Sequence, residues 1–192
     1  MYYRGYRGFN RNPIWIIISI NFLLFIATLI SGKLIFALGL SPASFFSQPW
    51  TIITNLFLHA SLWHIFANML TLFFFGSYLT SLVGTTRFLI VYFGGGILGN
   101  ILYLVLGPPL SIAIGASGAI FALGGALAVM RPRLRVLVFP IPLPIPLWAA
   151  VIGGFIILSF VPRVAWQAHL GGLILGLIAG YLFRRRERYY LP

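Results

Sequence analysis

The stretch IGASGAIFALGG, residues 114–125, sets one serine, Ser117, among small residues at the head of a long apolar run. Small side chains let membrane helices approach closely, so a serine there serves packing or serves as a nucleophile. As a nucleophile it needs a base, because a serine hydroxyl is weakly reactive at its free pKa. The chain has three histidines, His59, His64 and His169. An ionisable residue inside a membrane is a functional candidate by default. His169 is the only base on the last apolar run. The sole acid, Glu187, lies beyond the inner end of that run and supplies no third member of a triad. A serine hydrolase built from these residues is a dyad of Ser117 and His169.

Such chemistry also needs donors aimed at a developing oxyanion. In HASLWHIFANML, His64 and Asn68 are four residues apart, on one face of a helix, and both donate hydrogen bonds. The backbone N–H of Ser117 lies at a helix N-terminus, where unpaired donors and the helix dipole favour an anion. His59 is five residues from His64 and off that face, so it reads as an interfacial or loop-contacting residue. Nothing completes a zinc site: there is no HExxH, no cysteine and no nearby carboxylate. No cofactor is expected.

These residues must be held by elements that the composition identifies. The 192 residues are 60% hydrophobic and 7% charged, with a mean hydropathy of +1.02. That excludes a soluble domain and points to an all-α, polytopic membrane protein forming one domain over 1–192. Six transmembrane helices are readable, at 13–31, 61–83, 88–106, 115–130, 145–160 and 165–183. The first is too long for a signal-peptide core and is expected to be a retained span. The connection 32–60, rich in Phe, Pro and Ser, suits a partly membrane-embedded loop with short helical pieces. The proline-rich FPIPLPIPLW, with Pro140, Pro142, Pro144 and Pro146, interrupts the inner end of the fifth span and suggests loose packing there.

The net charge of +12 lies in short clusters beside apolar runs. Juxtamembrane charge, attracted to anionic lipids at the cytoplasmic face, accounts for it, and no nucleic-acid partner is expected. With a cytoplasmic N-terminus, eleven arginines fall inside, and only Lys33 and Arg163 fall outside. Residues 1–12 and 184–192 then form a basic cytoplasmic N-terminus and tail.

Depth follows from the same charges. Ser117 lies 14 residues before Arg131, and His169 lies 15 before Arg184. At 1.5 Å per residue both sit about 21–22 Å above the inner boundary. Asn68, 16 residues before Gly84, sits about 24 Å up if its helix is regular. The fourth span spans only about 24 Å against a hydrocarbon core of roughly 30 Å. LGPPLSIAI before it must therefore dip inward, toward a protein-lined or wet cavity. Gly172, Gly176 and Gly180 form a stripe below His169, and Gly124 and Ala128 form one below Ser117. Together they predict close packing of the fourth and sixth spans.

The ordered set GASG, HASLWHIFAN and AHLGGLILG, within six spans, resembles the rhomboid intramembrane serine proteases. The resemblance covers nearly the whole chain. It implies Ser117 as nucleophile and His169 as general base. It implies His64 and Asn68 as oxyanion donors beside the Ser117 N–H. It also implies a gate made of the fifth helix and an outer loop, transmembrane protein substrates, and an active site opening away from the cytoplasm. Three positions depart from the family pattern. Thr51 follows Trp50 where an arginine is common, Thr80 and Leu82 replace a Glu-x-Arg pair, and Phe121 stands where a tyrosine often packs on the histidine. A small transporter or a non-catalytic membrane binding protein are the competing classes. The first usually needs intramembrane carboxylates, and none is present.

Overall fold

The computed structural model describes residues 12–138 and 143–188, with side chains to 184. The basic stretch 1–11, the segment 139–142 that holds Pro140 and Pro142, and residues 189–192 lie outside the described residues. Helices occupy each of the six apolar runs. They are α1 (Asn12–Ile30), α4 (Leu62–Thr71) continuing into α5 (Ser77–Val83), α6 (Thr85–Leu106), α7 (Ser117–Met130), α8 (Leu147–Ser159) and α9 (Trp166–Arg188). Two short helices, α2 (Lys33–Leu38) and α3 (Thr51–Thr54), lie in the first connection. Four helical stretches, Asn12–Ile30, Leu62–Val83, Thr85–Leu106 and Trp166–Arg184, are long and apolar enough to cross a membrane; Ser117–Met130 and Leu147–Ser159 are shorter.

Local chemistry sets the boundaries. Pro13 opens α1, where its missing N–H costs nothing. Ser61 caps α4 by accepting the His64 N–H at 3.1 Å. Gly84, at φ +85°, turns the chain between α5 and α6, a backbone state that favours glycine. The second span is not one regular helix. Leu72–Gly76 forms a π-helical segment between α4 and α5. The even rise assumed for Asn68 therefore does not apply, because a π turn holds more residues than an α turn.

The short α7 is the centre of the bundle. All its residues except Ser117, Phe121 and Val129 are buried. It packs against α9 at backbone distance: a Cβ on Gly172, Gly176 or Gly180 would strike the carbonyl of Gly118, Ala122 or Ala126 respectively. The predicted stripe on α9 is therefore the contact face, whereas Gly124 of the stripe predicted on α7 is not part of it. Gly124 instead faces Val151 and Phe75, at 3.0 and 3.2 Å from where its Cβ would stand. The α7 face that meets α9 carries Gly118, Ala122, Gly125 and Ala126. On the far side of α9, Gly171 lies against Gly99 of α6.

The segment before α7 is anchored by the first connection. Leu40 and Ala113 exchange both backbone hydrogen bonds, at 3.0 and 2.8 Å, and the Gly115 N–H donates to the Asn55 carbonyl at 2.9 Å. Trp50 Nε1 donates to the Ala37 carbonyl at 2.9 Å and Thr54 Oγ1 to that of Leu38 at 2.7 Å. Where Thr51 departs from the common arginine, its hydroxyl turns back to the Gln48 carbonyl at 2.6 Å. In an apolar medium each unsatisfied backbone group costs several kcal/mol, so these bonds decide the path of the irregular chain.

The fifth helix reverses an expectation. Its N-terminal end is tethered, because Ile145–Pro146 pairs antiparallel with Arg135–Val136 and the Leu147 N–H donates to the Leu134 carbonyl at 2.8 Å. The prolines leave edge-strand geometry available there. The C-terminal half is the weakly packed part. Only Leu147 and Val151 of α8 are buried, and Gly153 and Gly154 face open space.

Candidate active site

Ser117 is the first residue of α7, so its N–H has no partner within the helix. Its hydroxyl meets Nε2 of His169, on α9, at 2.7 Å. His169 is only 4% exposed. The glycine packing of α9 on α7 makes this approach possible, since a side chain at Gly172 would push the two helices apart. For Nε2 to accept the hydroxyl hydrogen, the neutral ring carries its own hydrogen on Nδ1. Nδ1 is buried and makes no hydrogen bond. The ring plane is set by packing instead: Phe121, one turn along α7, lies against it with centroids 4.7 Å apart. Phe121 in turn meets Phe155 of α8 edge-on at 6.2 Å.

His64 closes the other side. Its Nδ1 accepts the Ala60 N–H at 3.3 Å, which leaves the hydrogen of the neutral ring on Nε2, as a donor. Gly115 separates this ring from the serine. A Cβ on Gly115 would stand 2.9 Å from His64 Nε2 and 3.7 Å from Ser117 Oγ. With φ at +126°, only glycine is at ease there. Asn68, one turn below His64, is buried and donates through Nδ2 to the His64 carbonyl at 2.8 Å. One of its two amide hydrogens is thus engaged within α4, and Asn68 makes no hydrogen bond to Ser117 or His169.

His59 is buried within the protein. It is 2% exposed, and its ring meets that of His64 edge-on with centroids 4.8 Å apart. Neither ring nitrogen finds a partner. The chain bends at Leu58–Ser61 ahead of α4 and folds His59 inward, which helical spacing from His64 does not anticipate. Sequence reasoning also missed Asn55 and Asn100. They form a reciprocal amide pair, and Asn55 carries the carbonyl that holds Gly115. The one signal for Asn100 is a lone amide inside a glycine-rich apolar run.

The arrangement brings together a hydroxyl, an imidazole at proton-transfer distance and a donor-bearing second imidazole across a glycine. These are the parts of acyl-transfer chemistry.

Residues 46–186 match the family model described as the Rhomboid domain. The rhomboid-family protein YdcA of Bacillus subtilis is 34% identical over 143 residues, covering 73% of this chain and 71% of that protein. Rhomboid protein 1, mitochondrial, of Saccharomyces cerevisiae is 30% identical over 154 residues, 68% of this chain and 41% of that protein. Rhomboid protease GluP of Bacillus subtilis is 31% identical over 174 residues, 86% of this chain and 33% of that protein. The chain thus spans less than half the length of the latter two relatives.

Proposed function

The chain belongs to the rhomboid family, an integral multi-pass membrane protein, and we propose that it is an intramembrane serine endopeptidase working through a dyad of Ser117 and His169. The observation that carries this reading is the 2.7 Å hydrogen bond between Ser117 Oγ and His169 Nε2. In the proposed reaction the hydroxyl attacks a scissile carbonyl while Nε2 takes its proton. The tetrahedral oxyanion receives hydrogen bonds from the Ser117 N–H, from His64 Nε2 and from the free amide hydrogen of Asn68. Nε2 returns the proton to the leaving amine, leaving an acyl-enzyme. A water then attacks the acyl group, with Nε2 as its base, and Ser117 is regenerated.

The proposed substrates are transmembrane helices of other proteins, cut near their outer ends. A helix hides its carbonyls in backbone hydrogen bonds, so the scissile segment must unwind first. In lipid each freed group costs several kcal/mol unless it finds a partner. Substrates with Gly, Ser or Pro near the cut unwind more easily. Entry beside α8 fits its exposed outer half, with the tethered inner end as pivot. Cytoplasmic termini, a site opening to the opposite side and contact of the arginines with anionic lipid belong to the same proposal. Two of them support it by sharing one end of the bundle: Arg184 donates to the Val129 carbonyl at 3.3 Å, and Arg87 lies over the Phe183 ring at 5.6 Å.

The test is covalent labelling of the purified protein by a fluorophosphonate, alongside cleavage of a model substrate helix. Labelling at Ser117, lost together with cleavage in Ser117→Ala and His169→Ala, is the expected result. A folded protein that neither labels nor cleaves would point instead to the non-catalytic binding protein or the transporter.

A further inference from the structure

We infer that Asn55 and Asn100 are positioning residues for the oxyanion side of the Ser117 site, acting through Gly115; the inference rests on the protease reading above. Both side chains are 2% exposed. Asn55 Nδ2 donates to Asn100 Oδ1 at 3.0 Å, and Asn100 Nδ2 donates to Asn55 Oδ1 at 2.8 Å. Asn100 Nδ2 also donates to the Ile52 carbonyl at 2.7 Å. The pair therefore clamps the segment 52–55 of the first connection onto α6 at two points.

What that segment holds is the reason for the clamp. The Asn55 carbonyl takes the Gly115 N–H at 2.9 Å. Gly115 is the residue wedged between His64 and Ser117, with no room for a Cβ. A line of contacts thus runs from α6 through Asn100 and Asn55 to Gly115, and from there to the His64 ring and the start of α7. Beside Asn100, Gly99 lies against the carbonyl of Ala168, the neighbour of His169. One short stretch of α6 is the common reference for both sides of the site.

The chemistry of the pair suits the task. Apolar side chains would fill the same space but would leave the segment free to slide. Two complementary amides are directional, and a slide breaks several bonds at once in a medium that offers no replacement. They also carry no charge at any working pH. Oxyanion donors act only within about 2.7–3.1 Å of the charge they stabilise. A misplacement of about 1 Å costs on the order of 100-fold. Loss of the clamp should therefore weaken transition-state stabilisation and leave substrate docking unchanged.

The experiment uses the full chain in bilayers and compares Asn55→Ala, Asn100→Ala and the double variant N55L/N100L. The double leucine variant removes both members of the amide pair together, so of these bonds only the Ile52 carbonyl loses a partner that is not itself replaced. Three readouts are taken: kcat and KM on a model substrate helix, the rate of fluorophosphonate labelling, and the ¹⁵N resonances of the His64 ring. The expected result is a kcat lower by roughly 10-fold or more in every variant, KM within about twofold, and shifted His64 resonances. A folded N55L/N100L with native kcat and native His64 resonances overturns the inference. So does a rise in KM at constant kcat. Should N55L/N100L not fold, Asn100→Asp, of the same shape with its donors removed, carries the same readouts. If the native chain neither cleaves nor labels, the protease reading fails by itself, and the His64 resonances alone decide whether the amide pair positions that ring.

Discussion

The ring of Phe121 lies against the imidazole of His169, with centroids 4.7 Å apart and planes inclined by 32°. Because His169 Nδ1 has no hydrogen-bond partner, this contact is what would, in the proposed dyad, do the orienting that a carboxylate performs in a triad. A phenyl ring suffices for it, so the departure from tyrosine leaves the packing intact. Phe121→Tyr should keep kcat within about threefold, whereas Phe121→Leu should lower it by roughly 10-fold with KM little changed. Steady-state kinetics on a model substrate helix checks this. A fully active Phe121→Leu enzyme would show that the imidazole is held by something other than the ring.

The oxyanion donors should differ in weight. His64 Nε2 is free to point at the site, whereas Asn68 already spends one amide hydrogen on the His64 carbonyl at 2.8 Å. His64→Ala removes a donor and should cost roughly 100-fold in kcat. Asn68→Ala removes a donor and also the support beneath His64, so its loss should not add fully to that of His64→Ala. A double variant whose losses multiply fully would separate the two residues and make Asn68 an independent donor.

The α7–α9 seam predicts a contrast between glycines. A methyl at Gly176 would strike the Ala122 carbonyl, whereas one at Gly153 meets nothing within 4 Å. Gly176→Ala should destabilise the protein by about 1–3 kcal/mol through overpacking. Gly153→Ala should be neutral or stabilising by up to about 1 kcal/mol, since alanine is the better helix former. Thermal unfolding in one detergent gives the comparison. Equal midpoints for the two variants would refute the backbone-distance seam.

Acid should weaken the fold through His59. Burial pushes its imidazole from 6.5 down to about 3, and the adjacent His64 acts in the same direction. Between those values the unfolded chain binds a proton that the native chain does not. The stability is therefore complete above pH 6.5 and falls as the pH drops toward 3, by at most about 1.4 kcal/mol per unit from this group. Unfolding midpoints of the native chain and His59→Phe, measured from pH 7.5 to 4.5, test it. The variant should show the shallower acid slope, and identical slopes would assign the sensitivity elsewhere.

The relation of Ser117 to His169 was legible along the chain because a helix has a constant rise. Counting back from Arg131 and Arg184 puts both residues at one level, and the glycine stripe on α9 marks the face that approaches. Apolar length likewise marks where the helices run, since a membrane-spanning segment needs a minimum of uninterrupted hydrophobic residues. Which face of α7 receives α9 was not legible. α7 is buried nearly all round and eight of its fourteen residues are Ser, Gly or Ala, so periodicity carries little direction; the spacing from Ser117 points to Gly124 and Ala128, whereas Gly118, Ala122 and Ala126 make the contact. The π-helical turn at Leu72–Gly76 and the inward fold of His59 were hidden for a related reason. Both depend on what the backbone packs against and not on local preference. Asn55 and Asn100 lie 45 positions apart, and nothing in either neighbourhood names the other. Their pairing exists only once α6 and the first connection are side by side. Residue spacing determines level and face within one helix; which polar groups meet across helices is decided by tertiary contact, because a buried amide in an apolar medium takes whichever complementary partner the packing brings to it.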